Sequence, residues 1–179
     1  MTTLYLVRHC RAEGQAPDAT LTAEGEAQAV ALAELLAPEG IGRIVSSPYR
    51  RALASIEPLA ARLGLSIETD DRLVERVLSG EPTADWRDRL RSSFGDPALW
   101  LPGGESGAAA LARGRAALER ACRPGAERVA VVTHGNMLAL LLADLDGRDG
   151  FSAWEQLSNP DVFRVELGAP TRVTRVWRV

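Results

Sequence analysis

Val129-Ala130-Val131-Val132-Thr133-His134-Gly135-Asn136 is the strongest strand signal in the chain, and it ends on a histidine. Four consecutive apolar residues, three of them β-branched, read as a buried strand. A helix from Asn136 to Ala143 follows it. The N-terminal region repeats the arrangement. Leu4-Tyr5-Leu6-Val7 reads as a short buried strand, and Arg8-His9-Cys10 comes directly after it. Away from these two stretches, strand and helix signals alternate. Ala27, Val30, Ala31 and Leu35 recur at helical spacing, and Gly40 ends that helix. Arg43 to Ser46 is a second strand. Ser47-Pro48 then reads as N-cap and first-turn proline of a helix that runs to Leu63 and stops at Gly64. Leu65 to Thr69 is a third strand. Trp86, Leu90 and Phe94 recur every four residues and predict a helix. Glu105 to Cys122 is alanine-rich and helical. Val162 to Leu167 and Thr171 to Trp177 are β-like, with Gly168-Ala169-Pro170 between them suited to a hairpin turn. The expected fold is α/β: a three-layer α/β/α sandwich with a mainly parallel central sheet and an antiparallel edge strand, built as one domain over residues 1–179.

Composition narrows the function. The chain has 179 residues and a net charge of −3, so no basic excess exists to neutralise a nucleic-acid backbone. No apolar run approaches the length of a membrane span or a signal-peptide core. The two cysteines, Cys10 and Cys122, form no close pair, which fits a reducing compartment and a cytoplasmic location. All 21 basic residues are arginine. The absence of lysine excludes a P-loop lysine and a Schiff-base lysine. Arginine suits flat, two-pronged contacts with phosphate and carboxylate, although a compositional bias toward Ala and Arg accounts for most of the count.

In open α/β sheets, ligands bind beyond the carboxyl ends of the strands. Those ends carry Arg8-His9, Ser46-Ser47 with Arg50-Arg51, Asp70 to Glu75, and Thr133-His134. The chain's two histidines both stand at this edge, with Arg8 and Arg51 beside them. Imidazoles and guanidiniums together form a site for a phosphoryl group.

Arg8-His9 resembles the Arg-His-Gly signature of the histidine phosphatase superfamily, the phosphoglycerate mutase-like proteins. Leu21-Thr22-Ala23-Glu24-Gly25-Glu26-Ala27-Gln28-Ala29 is similar to its Leu-Thr-x-x-Gly-x-x-Gln-Ala stretch. Ser46-Ser47-Pro48-Tyr49-Arg50-Arg51-Ala52 resembles its Ser-Ser-Pro-x-x-Arg-Ala motif. Arg72-Leu73-Val74-Glu75, Gly103-Gly104-Glu105-Ser106 and Thr133-His134-Gly135-Asn136 match later segments, in family order. The resemblance implies a phosphatase acting on phosphomonoesters through a phosphohistidine on His9. Arg8, Arg51 and His134 would hold the phosphoryl oxygens, and Glu75 would be the general acid and base. Gln15 stands where the family carries an asparagine and can still donate an amide N–H. Cys10 replaces the usual glycine after the nucleophile. The substrate would be a small phosphorylated metabolite or a phosphoprotein, with no metal, no cofactor, no nucleic acid and no membrane involved. A phosphoglycerate mutase and a non-catalytic phosphate-binding regulatory module are the alternatives.

Other readings carry less. A cysteine phosphatase needs Cys-x₅-Arg, and position 16 is Ala16. Asp144-Leu145-Asp146-Gly147 follows a helix late in the chain and reads as a polar helix end. Asp70-Asp71 reads as a solvated acidic pair. Arg50 is expected at the surface, and the four tryptophans in packing roles. Trp86, Arg87, Arg91 and Trp100 are the residues between Glu75 and Gly104 with the side chains to meet a substrate.

Overall fold

A computed structural model describes residues 2–123 and 125–178. Its centre is one six-stranded sheet in the order β3-β2-β4-β1-β5-β6. The strands are β1 (Thr3–Arg8), β2 (Arg43–Ser46), β3 (Ile67–Thr69), β4 (Arg128–Thr133), β5 (Asp161–Glu166) and β6 (Arg172–Arg175). Strands β3, β2, β4 and β1 are mutually parallel; β5 pairs antiparallel with β1, and β6 antiparallel with β5. The expected hairpin thus forms, and β5 is the strand whose direction reverses.

Side chains alternate across the sheet and feed two cores. Leu4, Leu6, Val129 and Val131 point to one face, where they pack with the helices α4 (Gly107–Ala121) and α5 (Gly135–Asp146). Tyr5, Val7, Ala130 and Val132 point to the other, against α1 (Ala23–Leu36) and α2 (Arg50–Leu63). This is the three-layer sandwich, and the continuous apolar runs of β1 and β4 follow from burial on both sides.

Local chemistry fixes most boundaries. The Thr22 hydroxyl caps α1 by accepting from the Gly25 amide at 2.9 Å. Gly64 closes α2 in the left-handed region at φ 66°. Ser106 caps α4 and Gly147 closes α5. Asp144 ends up in an ion pair with Arg115, as a polar helix end should. Several features differ from the sequence reading. Helix α2 begins at Arg50 with Tyr49 as its cap residue, and the Ser47 hydroxyl accepts from the Tyr49 amide just before it. Strand β3 is shorter than expected. Alongside α3 (Trp86–Gly95), a further helix, α6 (Gly150–Gln156), was not legible: it spans seven residues, too short to establish a period. No helix among the described residues is long and apolar enough to cross a membrane.

Candidate active site

The pairing of β1 with β4 sets Arg8 level with Thr133, so His9 and His134 leave the sheet side by side. The His9 amide donates to the Thr133 carbonyl at 3.1 Å, and the Ser47 amide to the Val132 carbonyl at 2.9 Å. Three strand ends are thereby stitched together beneath the site. The imidazoles meet edge-on with centroids 5.0 Å apart. His9 is 7% exposed and His134 fully buried.

The two nitrogens of His9 have assigned roles. Nδ1 lies 2.7 Å from the Cys10 carbonyl oxygen, which only accepts, so Nδ1 carries the proton. Nε2 receives the Arg51 Nε–H at 3.2 Å, so Nε2 holds the lone pair. Burial pushes the His9 pKa down to about 3, with Arg51 and Arg8 adding smaller repulsion. Desolvation, not the neighbouring arginines, is the larger cause of the neutral ring. His134 is held neutral in the same way, by burial first and then by His9 and the arginines. Its Nε2 lies 2.8 Å from the Ser47 hydroxyl, which also accepts from the Tyr49 amide at 3.3 Å.

Arg51 is 1% exposed and reaches under Tyr49, its guanidinium 5.0 Å from the ring centre. Its Nη1 donates to the carbonyls of Gln15 and Ala16. Neighbouring Arg50 is exposed, as adjacent helix positions require. Arg8 donates to the carbonyls of Leu157 and Ser158 and keeps a buried Nε without a partner. A Cβ at Gly135 would sit 3.1 Å from Arg8 nitrogens, so glycine is what lets the guanidinium lie over the start of α5.

Glu75 sits on the same edge. Its carboxyl accepts from the Asn136 and Met137 amides at 3.0 Å each, at the N-terminus of α5. The first amides of α5 thus hold the acid. The chain leading to Glu75 is tied down twice. Thr133 donates its hydroxyl to the Leu73 carbonyl at 2.7 Å, and Arg113 Nη1 to the carbonyls of Arg72 and Val74 at 2.7 Å. Glu105 in turn pairs with Arg113. The Asp70 carboxylate is held well below the usual range by Arg72 and by Arg120, which engages it at 3.0 Å; it is a structural ion pair.

A cleft of about 610 Å³ is lined by Arg8, Arg51 and Glu75 together with Val77, Leu78, Trp86 and Trp154, and the two histidines lie behind its lining. Gln15 lines it too, from an exposed position; its carbonyl, not its amide, makes the recorded contact. Of the residues expected to meet a substrate, Trp86 borders the cleft. Arg87 pairs with Glu155, Arg91 lies 4.5 Å over Phe151, and the Trp100 indole donates to the Gly104 carbonyl. Sequence reasoning missed Asn159, whose Nδ2 donates to the His9 carbonyl at 2.8 Å from 150 residues away. It carried no local signal. Ser47 lay inside a quoted motif but was read only as a cap.

Cys10 is fully buried among the apolar residues under α1 and α2, and its amide donates to the Ser55 hydroxyl at 2.8 Å. Burial pushes its thiol up to about 11, so it is no nucleophile at neutral pH. The Leu-Thr-x-x-Gly-x-x-Gln stretch clamps the loop that follows it. Gln28 accepts from the Arg11 amide at 2.9 Å, and the Arg11 carbonyl approaches Gly25 so closely that a Cβ there would lie 2.0 Å away.

The family profile described as histidine phosphatase superfamily (branch 1) matches residues 4–178. A protein named a probable phosphoglycerate mutase from Shigella dysenteriae serotype 1 is 32% identical over 100% of this chain and 91% of its own length. A mycobacterial glucosyl-3-phosphoglycerate phosphatase, solved with inorganic phosphate, superposes with a TM-score of 0.78 at 30% identity, covering 100% of this chain and 98% of that one. A phosphoserine phosphatase variant from Entamoeba histolytica shares the fold at a TM-score of 0.79 and 20% identity, over 97% and 95% of the two chains.

Proposed function

Given that this chain belongs to the histidine phosphatase superfamily, we propose that it is a cytoplasmic, metal-independent phosphatase, one domain over its whole length, that hydrolyses phosphomonoesters through a phosphohistidine on His9. One observation carries the reading: a neutral imidazole whose Nδ1–H is anchored on the Cys10 carbonyl and whose Nε2 lone pair faces a buried arginine. An incoming phosphoryl group draws the Arg51 guanidinium onto its oxygens and frees that lone pair. Arg8 and His134 take the remaining oxygens. Nε2 then attacks phosphorus, the P–O bond to the leaving group breaks, and the Glu75 carboxyl delivers a proton to the departing oxygen. In the second half a water attacks phosphorus, Glu75 takes its proton, the P–N bond breaks, and phosphate leaves with His9 neutral again. Such a transfer needs positioning and charge neutralisation more than covalent help. Two arginines supply the charge. The Cys10 carbonyl stabilises the ring charge that appears when the P–N bond forms.

The test is hydrolysis of a generic aryl phosphate in excess chelator by wild type and His9→Ala. Turnover that resists chelation and falls by at least ~10³-fold in the variant is the expected result. Activity that survives in His9→Ala would remove the nucleophile assignment. The whole-length similarity to a protein named a probable phosphoglycerate mutase favours one second reading, an isomerase on the same phosphohistidine. Activity on 3-phosphoglycerate that requires a bisphosphoglycerate primer would select it.

A further inference from the structure

Apart from the phosphate-holding arginines, the cleft wall is largely apolar. Val77 and Leu78 come directly after Glu75-Arg76 in the chain, and Trp86, Leu90 and Trp154 line the same cleft. Four large apolar side chains stand exposed among the described residues, and Val77 and Trp86 are two of them, at 48% and 46%. Such residues scattered singly need no explanation, but these two share one wall. Two of the polar residues in that wall are already engaged. The Ser79 hydroxyl donates to the Glu81 carbonyl at 2.7 Å. The Arg76 guanidinium donates to the Ser93 hydroxyl at 2.9 Å and to the Glu105 carbonyl at 3.3 Å, with the charges of Glu105 and Glu75 close by.

This wall is held in place from behind. The Glu105 amide donates to the Val77 carbonyl and the Gly80 amide to the Pro102 carbonyl, both at 2.9 Å. A Cβ at Gly104 would lie 2.3 Å from the Leu78 carbonyl oxygen, so only glycine lets the two segments close up. The indoles of Trp86 and Trp154 meet nearly at right angles, 82° between planes, with centroids 5.7 Å apart. Trp154 is braced in turn by Phe151 at 5.7 Å and by the Arg87 guanidinium at 5.8 Å. A surface fixed before binding loses little entropy when a ligand covers it. Its place in the reaction follows from Glu75. In the proposed transfer the leaving oxygen faces that carboxyl, so the group behind the oxygen lies along the residues that follow it. We infer that Val77, Leu78, Trp86 and Trp154 receive the leaving group, so that the substrate is the phosphomonoester of a hydrophobic, ring-bearing alcohol. This rests on the phosphatase reading above. The cleft, at about 610 Å³, has the size of clefts that enclose ligands well beyond a phosphate.

The experiment compares kcat/KM for 3-phenylpropyl phosphate and 3-hydroxypropyl phosphate. Both are esters of primary alcohols of similar acidity, so their ratio reports the wall and not the leaving oxygen. Wild type is expected to prefer the phenylpropyl ester by roughly 10- to 100-fold, the effect of covering a ring with apolar surface. The ratio is expected to fall by about tenfold in Trp86→Ala and to keep most of its size in Trp86→Phe, which retains a ring face. A Trp86 that only packs would slow both esters together and leave the ratio intact; that result overturns the inference. The ratio is read only on enzyme that turns over, so a destabilised variant does not imitate it. If Trp86→Ala is inactive, the wild-type ratio decides: at or below one, the inference falls. Hydrolysis of 4-nitrophenyl phosphate with neither ester accepted, or with no preference between them, overturns the inference alone. No hydrolysis of any of the three overturns the phosphatase reading and the inference with it.

Discussion

His9 takes its chemistry from what its two nitrogens meet. A carbonyl on one side and a guanidinium N–H on the other allow a single tautomer, and burial keeps that tautomer uncharged. The expected consequence is direct. In NMR spectra the His9 ring signals stay at their neutral positions from pH 7.5 down to pH 4.5, since its pKa is pushed down to about 3. A midpoint near 6.5 would mean a ring in contact with water. At this scale the sequence was informative. His9, His134, Arg8, Arg51 and Glu75 were all named from strand ends and motif order, and the fold brings them to one edge. The partners that tune them were not legible. Asn159 and the carbonyls of Leu157 and Ser158 reach the site from the far end of the chain. No spacing rule connects residues so distant.

At the level of elements, the site depends on how one loop is held. The segment before Glu75 forms no strand or long helix, yet its carbonyls are gripped by Arg113 from α4 and by Thr133 from β4. Arg113 is itself set by Glu105, the residue before the α4 cap. It touches neither the cleft nor the reacting atoms and acts as a positioning residue. Replacing Arg113 with Met is expected to lower kcat by roughly 10- to 100-fold while KM for an aryl phosphate changes little, because the acid is displaced and the phosphate-holding arginines are not. The lost hydrogen bonds should also cost about 1–3 kcal/mol of stability, read by denaturant unfolding. Equal effects on kcat and KM would show that the loop also shapes the phosphate pocket. The Gly103-Gly104-Glu105-Ser106 motif was visible in sequence, but its purpose was not; the link from Glu105 through Arg113 to Glu75 exists only between elements.

For the whole molecule, both histidines are buried and neutral, and this ties stability to pH. Their folded pKa values lie below the ordinary 6.5, so the unfolded chain binds protons that the folded chain refuses. The stabilisation is fully present above pH 6.5 and is lost as pH falls toward the folded values. The slope approaches about 1.4 kcal/mol per pH unit for each histidine. The stabilisation from carboxylates with depressed pKa, such as Asp70, is fully present across this window and is lost only at lower pH. Thermal unfolding from pH 7 to pH 5 should therefore show a falling Tm, and His9→Asn should flatten the decline. An unchanged Tm over that window would contradict the burial of uncharged imidazoles.

The alternation of apolar runs and helical periods was enough to write down the sandwich, the parallel strands and the closing hairpin. These features follow from local propensity and from which faces must be buried, and both are properties of short windows. The resemblance carried by the ordered motifs named the candidate nucleophile and its neighbours, and Arg8-His9, Ser46-Ser47 and Thr133-His134 each stand where a strand ends. The short helix at Gly150–Gln156, the contact of Ser47 with His134 and the grip on Glu75 needed the folded chain. Each arises from contacts between residues far apart in sequence. Desolvation, which decides the charge on His9, is a property of everything packed around the ring and of no window of sequence.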